Sequence, residues 1–174
     1  MIRICSPAVF LSLVASVPAA AGEVAASPAV APDRAAEAFG ELASLAGVWR
    51  IADRPDSTLR IRFSLTAGGT VIVESWERAG QPHSLTLYHR DGASLVATHY
   101  CPQGNQPRLR LAREAVSGKP VFSFSDATDL DAGESYLHDL RFDLAAPDRI
   151  VRSEIYRRGD AAEPSSLVLV REAP

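Results

Sequence analysis

The chain has 174 residues, 47% hydrophobic and 22% charged, with a formal net charge of −3 at pH 7. So mild an acidic balance lacks the clustered positive charge that a phosphate backbone demands, which argues against a nucleic-acid partner. Of the two cysteines, Cys5 falls in a segment expected to be removed, so Cys101 has no partner and the fold must stand on packing and backbone pairing.

Met1-Ile2-Arg3 makes a short positive start, Pro7 to Val17 is an apolar run, and Pro18-Ala19-Ala20-Ala21 supplies small residues for a peptidase. This is the pattern of a signal peptide over residues 1–21, and it predicts export to the periplasm or beyond. The apolar run is too short to span a bilayer, so no transmembrane segment is expected. Residues 22–34, rich in Ala, Pro and Val without periodicity, read as a flexible lead-in. The remaining residues, 35–174, suffice for one domain with one hydrophobic core. After cleavage, 17 basic residues face 21 acidic ones, a formal charge of −4.

Asp33 is placed to cap a short helix whose apolar face is Ala35, Phe39, Leu42 and Leu45, and Gly47 ends it. From there the period changes to two. A short segment around Trp49 is followed by Leu59–Leu65, then Gly68-Gly69, then Thr70–Trp76. Gly80 and Pro82 precede Ser84–His89, and Ser94–Tyr100, Arg108–Ala112, Val121–Ser125, Tyr136–Leu144, Arg149–Tyr156 and Ser165–Arg171 follow, each bounded by turn formers. Some ten sequential strands without crossover helices predict an all-β antiparallel meander. Closure into a barrel of about 8–10 strands removes the exposed edges; a sandwich is the alternative.

Parity assigns faces, because side chains alternate across a strand. A three-residue loop Arg90-Asp91-Gly92, with Gly92 left-handed, sets Leu87 against Leu95, Leu85 against Ala97 and His83 against His99, with Cys101 following on that face. His138 shares parity with Leu140, Phe142 and Leu144. The expectation is an apolar interior anchored by His83, His99, Cys101, His138 and Tyr136, the usual composition of a small-molecule site. His99 and His138 then face one shared interior site. The alternative is that each histidine is a hydrogen-bonded structural group and Cys101 a space filler.

In the loop Cys101–Arg108, the amides of Asn105 and Gln106 either bind a polar ligand head or satisfy bare backbone groups, and Arg108 is placed to clamp a carboxylate. Asp126, Asp129, Asp131 and Glu134 form an acidic loop whose order does not match the twelve-residue calcium loop. The spacing of His83, His99 and His138 matches no local zinc motif, and no metal or other cofactor is expected. Catalytic signatures are missing: there is no G-x-S-x-G, H-E-x-x-H, C-x-x-C or phosphate-cradling loop. His138 and Asp139, adjacent in a strand, are expected on opposite faces and so not as a base with its orienting carboxylate.

Gly47-Val48-Trp49 after a short helix, with Arg171 after the last apolar strand, resembles the lipocalin and calycin pattern. The resemblance implies that Trp49 packs at the barrel base under Arg171 as a cation–π stack. The segments Thr98-His99-Tyr100-Cys101 and Gly104-Asn105-Gln106-Pro107-Arg108 are similar to those of a group of uncharacterised exported bacterial proteins. That likeness spans roughly Leu42 to Arg171 and implies a lipocalin-like barrel. The expected function is an exported protein holding a small, largely apolar or amphipathic molecule in the barrel, contacted by Arg108, His99 and His138. The alternatives are an enzyme or metal/haem protein using the interior His and Cys residues, and an interaction module whose barrel is filled by its own side chains.

Overall fold

A computed structural model describes residues 33–173. The expected signal peptide and all but the last two residues of the lead-in lie outside them. Asp33 caps α1 (Arg34–Ala43), accepting from Ala36 N at 3.0 Å, and Ala35, Ala38 and Leu42 are its buried face.

Ten antiparallel strands follow: β1 Gly47–Ile51, β2 Leu59–Thr66, β3 Val71–Arg78, β4 Gln81–Asp91, β5 Ser94–Tyr100, β6 Gln106–Leu111, β7 Val121–Thr128, β8 Tyr136–Ala146, β9 Arg149–Arg158 and β10 Ala161–Arg171. Each pairs with its neighbours in sequence, and β10 returns to β1 through Trp49 opposite Arg171, closing the barrel. The expected meander and its closure are therefore present, and no strand edge is left for aggregation.

The two ends of the barrel differ. At one end lie the β2–β3, β4–β5 and β8–β9 turns together with α1. There Arg90 of β4 holds Asp33 at 2.5 Å, and Glu41 accepts from Gly118 N at 2.6 Å. Trp49 closes this base: its indole donates to Leu45 O at 2.8 Å and its ring lies 4.4 Å from the Arg171 guanidinium carbon. Arg171 also donates to Ala46 O and Ser44 O, serving carbonyls at the end of α1 that have no helical partner. The adjoining Gly47 has φ 133°, and a Cβ there would stand 2.8 Å from Arg171 Nη1. Above this base, Phe63, Tyr88, Phe122 and Phe142 meet across the lumen with ring centroids 5.6–6.4 Å apart. That half of the barrel is filled by its own side chains.

The central hairpin departs from the expected register. Asp91 pairs with Ser94, so the loop is the two-residue turn Gly92-Ala93, with Gly92 at φ 59°. Tyr88 thus faces Ala97 and Thr86 faces His99, and the interior parity of β4 is even. Leu87 meets Thr98 rather than Leu95, an offset of three residues, and any odd offset turns the strand over. Leu85 and Leu87 consequently lie on the outer wall, where they pair with Tyr100 and Thr98 and with Ser75 and Val73. Composition favoured the wrong face, since Leu85 and Leu87 stand on the odd side of β4 against Ser84, Thr86 and Tyr88 on the even one.

Candidate functional site

The end of the barrel away from α1 carries the polar groups. On β3, Glu74 and Trp76 continue the interior parity of Ile72; on β9, Arg152, Glu154 and Tyr156 continue that of Ile150. Glu74 is 0% and Arg152 2% exposed, so a full ion pair stands inside the barrel. Arg152 Nε lies 2.7 Å from Glu74 Oε1, out of line for a hydrogen bond, and Nη1 donates to Glu154 Oε2 at 2.5 Å. Glu74 also accepts from the Tyr88 hydroxyl and from Trp76 Nε1 at 2.7 Å. The guanidinium stacks on Trp76, 4.7 Å from the ring centroid.

Two carboxyl groups thus share one guanidinium. Burial alone pushes the Glu154 carboxyl up, but the Arg152 charge and hydrogen bond outweigh it and hold the group below its ordinary range. Burial beside Glu74 drives the Tyr88 hydroxyl well above its usual pKa, so it stays a neutral donor.

Beside this network, His99 Nδ1 lies 2.9 Å from Thr86 Oγ1 and Nε2 lies 3.1 Å from the Tyr156 hydroxyl. Burial, reinforced by the nearby Arg152 charge, lowers the imidazole from 6.5 to about 4. The ring is therefore neutral at pH 7. Below pH 6.5 the unfolded chain takes up a proton that the native imidazole refuses, so stability falls as pH drops from about 6.5 to about 4. The expected result is an imidazole whose carbon-bound proton resonances stay constant from pH 8 to 5. A midpoint near 6.5 would show the ring to be solvated.

The expected site residues separate. His99 is interior. Cys101, on the rim, is half-buried: its thiol contacts Gln103 Oε1 at 2.5 Å, and burial raises its pKa. His83, expected opposite His99, is exposed on the outer wall beside Ser84. His138 is half-buried beside β7. A bulge at Leu137/Asp139 resets the parity of β8, so Leu137, Leu140 and Phe142 point inward and His138 stacks on Phe124, with Tyr136 beside it. His99 contacts Thr86 and Tyr156 whereas His138 contacts Phe124, Tyr136 and Asp139, so the two rings share no contact partner. The bulge also joins two groups expected apart: His138 Nδ1 lies 2.8 Å from Asp139 Oδ2. Ser123 donates to Asp139 rather than to the imidazole, so the order of groups is not the one that activates a serine.

Arg108 faces outward and pairs with Asp126 and Thr128, which removes it from the interior contacts expected of it. Asn105 is buried and donates to Ser135 O at 3.1 Å, tying two loops together, and Gln106 donates to Gly104 O within its own loop. Among the described residues no group of three or more His, Cys, Asp and Glu is placed to hold a metal.

A cavity of about 340 Å³ opens at this end. Ile51, Leu59, Trp76 and Leu167 form its apolar floor, and Arg54 and Arg78 stand at its rim. Depressions of about 410 Å³ over β8–β10 and about 480 Å³ beside Phe39 lie on the outside of the molecule. Trp76 joins the mouth cavity to the buried charges, since one residue lines the former and hydrogen-bonds the latter. Sequence reasoning missed Glu74, Trp76, Arg152, Glu154 and Tyr156. The available signal was opposite charge at the core parity of two strands, VIVESWER and RIVRSEIYRR.

No family model matches the chain, and no curated protein matches it. Solved structures similar to it include that of Rv2717c from M. tuberculosis, at 15% identity and a TM-score of 0.49, with 78% of this chain and 98% of that one covered. Among the described residues no helix is long and apolar enough to cross a membrane.

Proposed function

We propose that this protein is an exported binding protein that uses its barrel in the lipocalin manner and takes a small, largely apolar molecule at the open end. The observation that carries the reading is the mouth cavity. Its floor is made by inward-facing apolar side chains, whereas the opposite end is sealed by Trp49 and α1. The lining pairs the apolar Ile51, Leu59, Trp76 and Leu167 with the polar Arg54, Ser57, Thr58 and Arg78, which suits a small amphipathic ligand, and about 340 Å³ is at the small end of the usual range of roughly 300–1,000 Å³. The Arg152 network beneath holds Trp76 by a stack on one side and a hydrogen bond from its indole, which preorganises the floor.

Trp76 is one of two tryptophans, and Trp49 is sealed at the base. Titration with 1-octanol should therefore give a saturable change in indole emission. Trp76→Phe should abolish that change while calorimetric binding persists, and Leu167→Glu should weaken binding at least about tenfold, or 1.4 kcal/mol. An emission change that survives in Trp76→Phe would place the ligand elsewhere and sink the reading.

A further inference from the structure

Arg54 and Arg78 are the cationic residues that line the mouth cavity, and neither forms an ion pair or side-chain hydrogen bond among the described residues. Their neighbours do not neutralise them. Arg60 is taken by Glu172 and Arg62 by Glu77, while Asp53, Asp56, Asp160 and Glu163, the acidic residues of the adjoining segments, are exposed and form no ion pair with either arginine. Other arginines of the barrel wall, Arg90, Arg108 and Arg110, are matched by Asp33, Asp126 and Asp91. Two unmatched guanidinium groups over an apolar floor form an amphipathic receptor, with donors suited to planar anions.

The depth of that receptor is limited. Below the floor the lumen is occupied by Ile61, Phe63, Tyr88 and Arg152, all 2% exposed or less. A long chain has no channel to follow. The cavity volume corresponds to on the order of ten non-hydrogen atoms at the roughly 30 Å³ per water of liquid packing.

Resting on the binding reading above, we infer that the mouth selects a compact carboxylate. Its head sits between Arg54 and Arg78, and its apolar body, with on the order of ten non-hydrogen atoms, lies on Trp76 and Leu167. The head remains at the rim, so the attraction is screened by salt. The tail supplies affinity up to the point where the filled lumen stops it.

Calorimetric titration with a series of straight-chain carboxylates and the matched neutral 1-octanol tests this. Octanoate should bind at least about tenfold more tightly than 1-octanol at low salt. In Arg54→Ala/Arg78→Ala the ratio of octanoate to 1-octanol affinity should fall to about one, whatever the change in either affinity alone. Lengthening hexanoate to octanoate should gain affinity by about fourfold per methylene, and lengthening octanoate to dodecanoate should add less than twofold in all. Equal or tighter binding of 1-octanol would overturn the anion selectivity and leave the binding site standing. A continued gain through dodecanoate would overturn the size limit. If neither octanoate nor 1-octanol binds, the proposed function itself fails and this inference with it.

Discussion

Arg152→Met is expected to destabilise the fold by about 3–5 kcal/mol at pH 7, because it leaves two carboxylates inside the barrel without their cation. Methionine approximates the volume of the side chain, so the loss reports charge rather than a void. Glu74, fully buried, then keeps only the hydrogen bonds from Tyr88 and Trp76. Glu74→Gln added to Arg152→Met should recover part of the loss, since a neutral amide is cheaper to bury than an unpaired carboxylate. The pH dependence separates this from simple misfit. In the wild type, the Glu154 carboxyl is held low by Arg152. That stabilisation is present above the unfolded glutamate pKa and is lost as pH falls through the lower native one. In Arg152→Met burial pushes the Glu154 carboxyl upward instead, so the gap between variant and wild type should narrow on acidification. Urea midpoints at pH 7.5 and 4.5 measure both effects. A loss under 1 kcal/mol, or a gap that widens in acid, would show that the pair does not carry this load.

Trp49→Ala is expected to cost about 3–5 kcal/mol, the usual range for truncating a buried aromatic. The indole is fully buried, donates to Leu45 O, and sits under Arg171. Arg171→Ala should cost less, and the two losses should couple by about 0.5–2 kcal/mol, the range of a cation–π contact. Gly47→Ala is a third probe of the same corner. It strains a backbone at φ 133° and pushes a Cβ toward Arg171 Nη1, so Arg171→Ala should relieve part of its cost. Additive losses in the Trp49/Arg171 cycle would mean that the stack contributes nothing beyond packing.

Strand number, order and closure were legible in the sequence, as was the helix with its Asp33 cap. They depend on local patterns: alternation, turn formers and a capping side chain act within a few residues of one another. The Trp49–Arg171 contact was legible through the G-x-W resemblance. The site was not. The placement of the expected residues turned on two local events, the two-residue turn at Gly92-Ala93 and the bulge at Leu137/Asp139, and neither alters composition. Leu85 and Leu87 signalled a core face yet form part of the outer wall, while Thr86 and Tyr88 between them line the lumen. His138 and Asp139, expected apart, became partners at the bulge.

The sequence by itself determined an antiparallel barrel capped by one helix, because propensity and periodicity are properties of neighbouring residues. Only the tertiary structure decided which polar groups share the lumen. Glu74 and Arg152 lie on strands far apart in the chain, and neither is stable inside without the other. Their meeting depends on the register of every strand between them, and no local pattern records that sum.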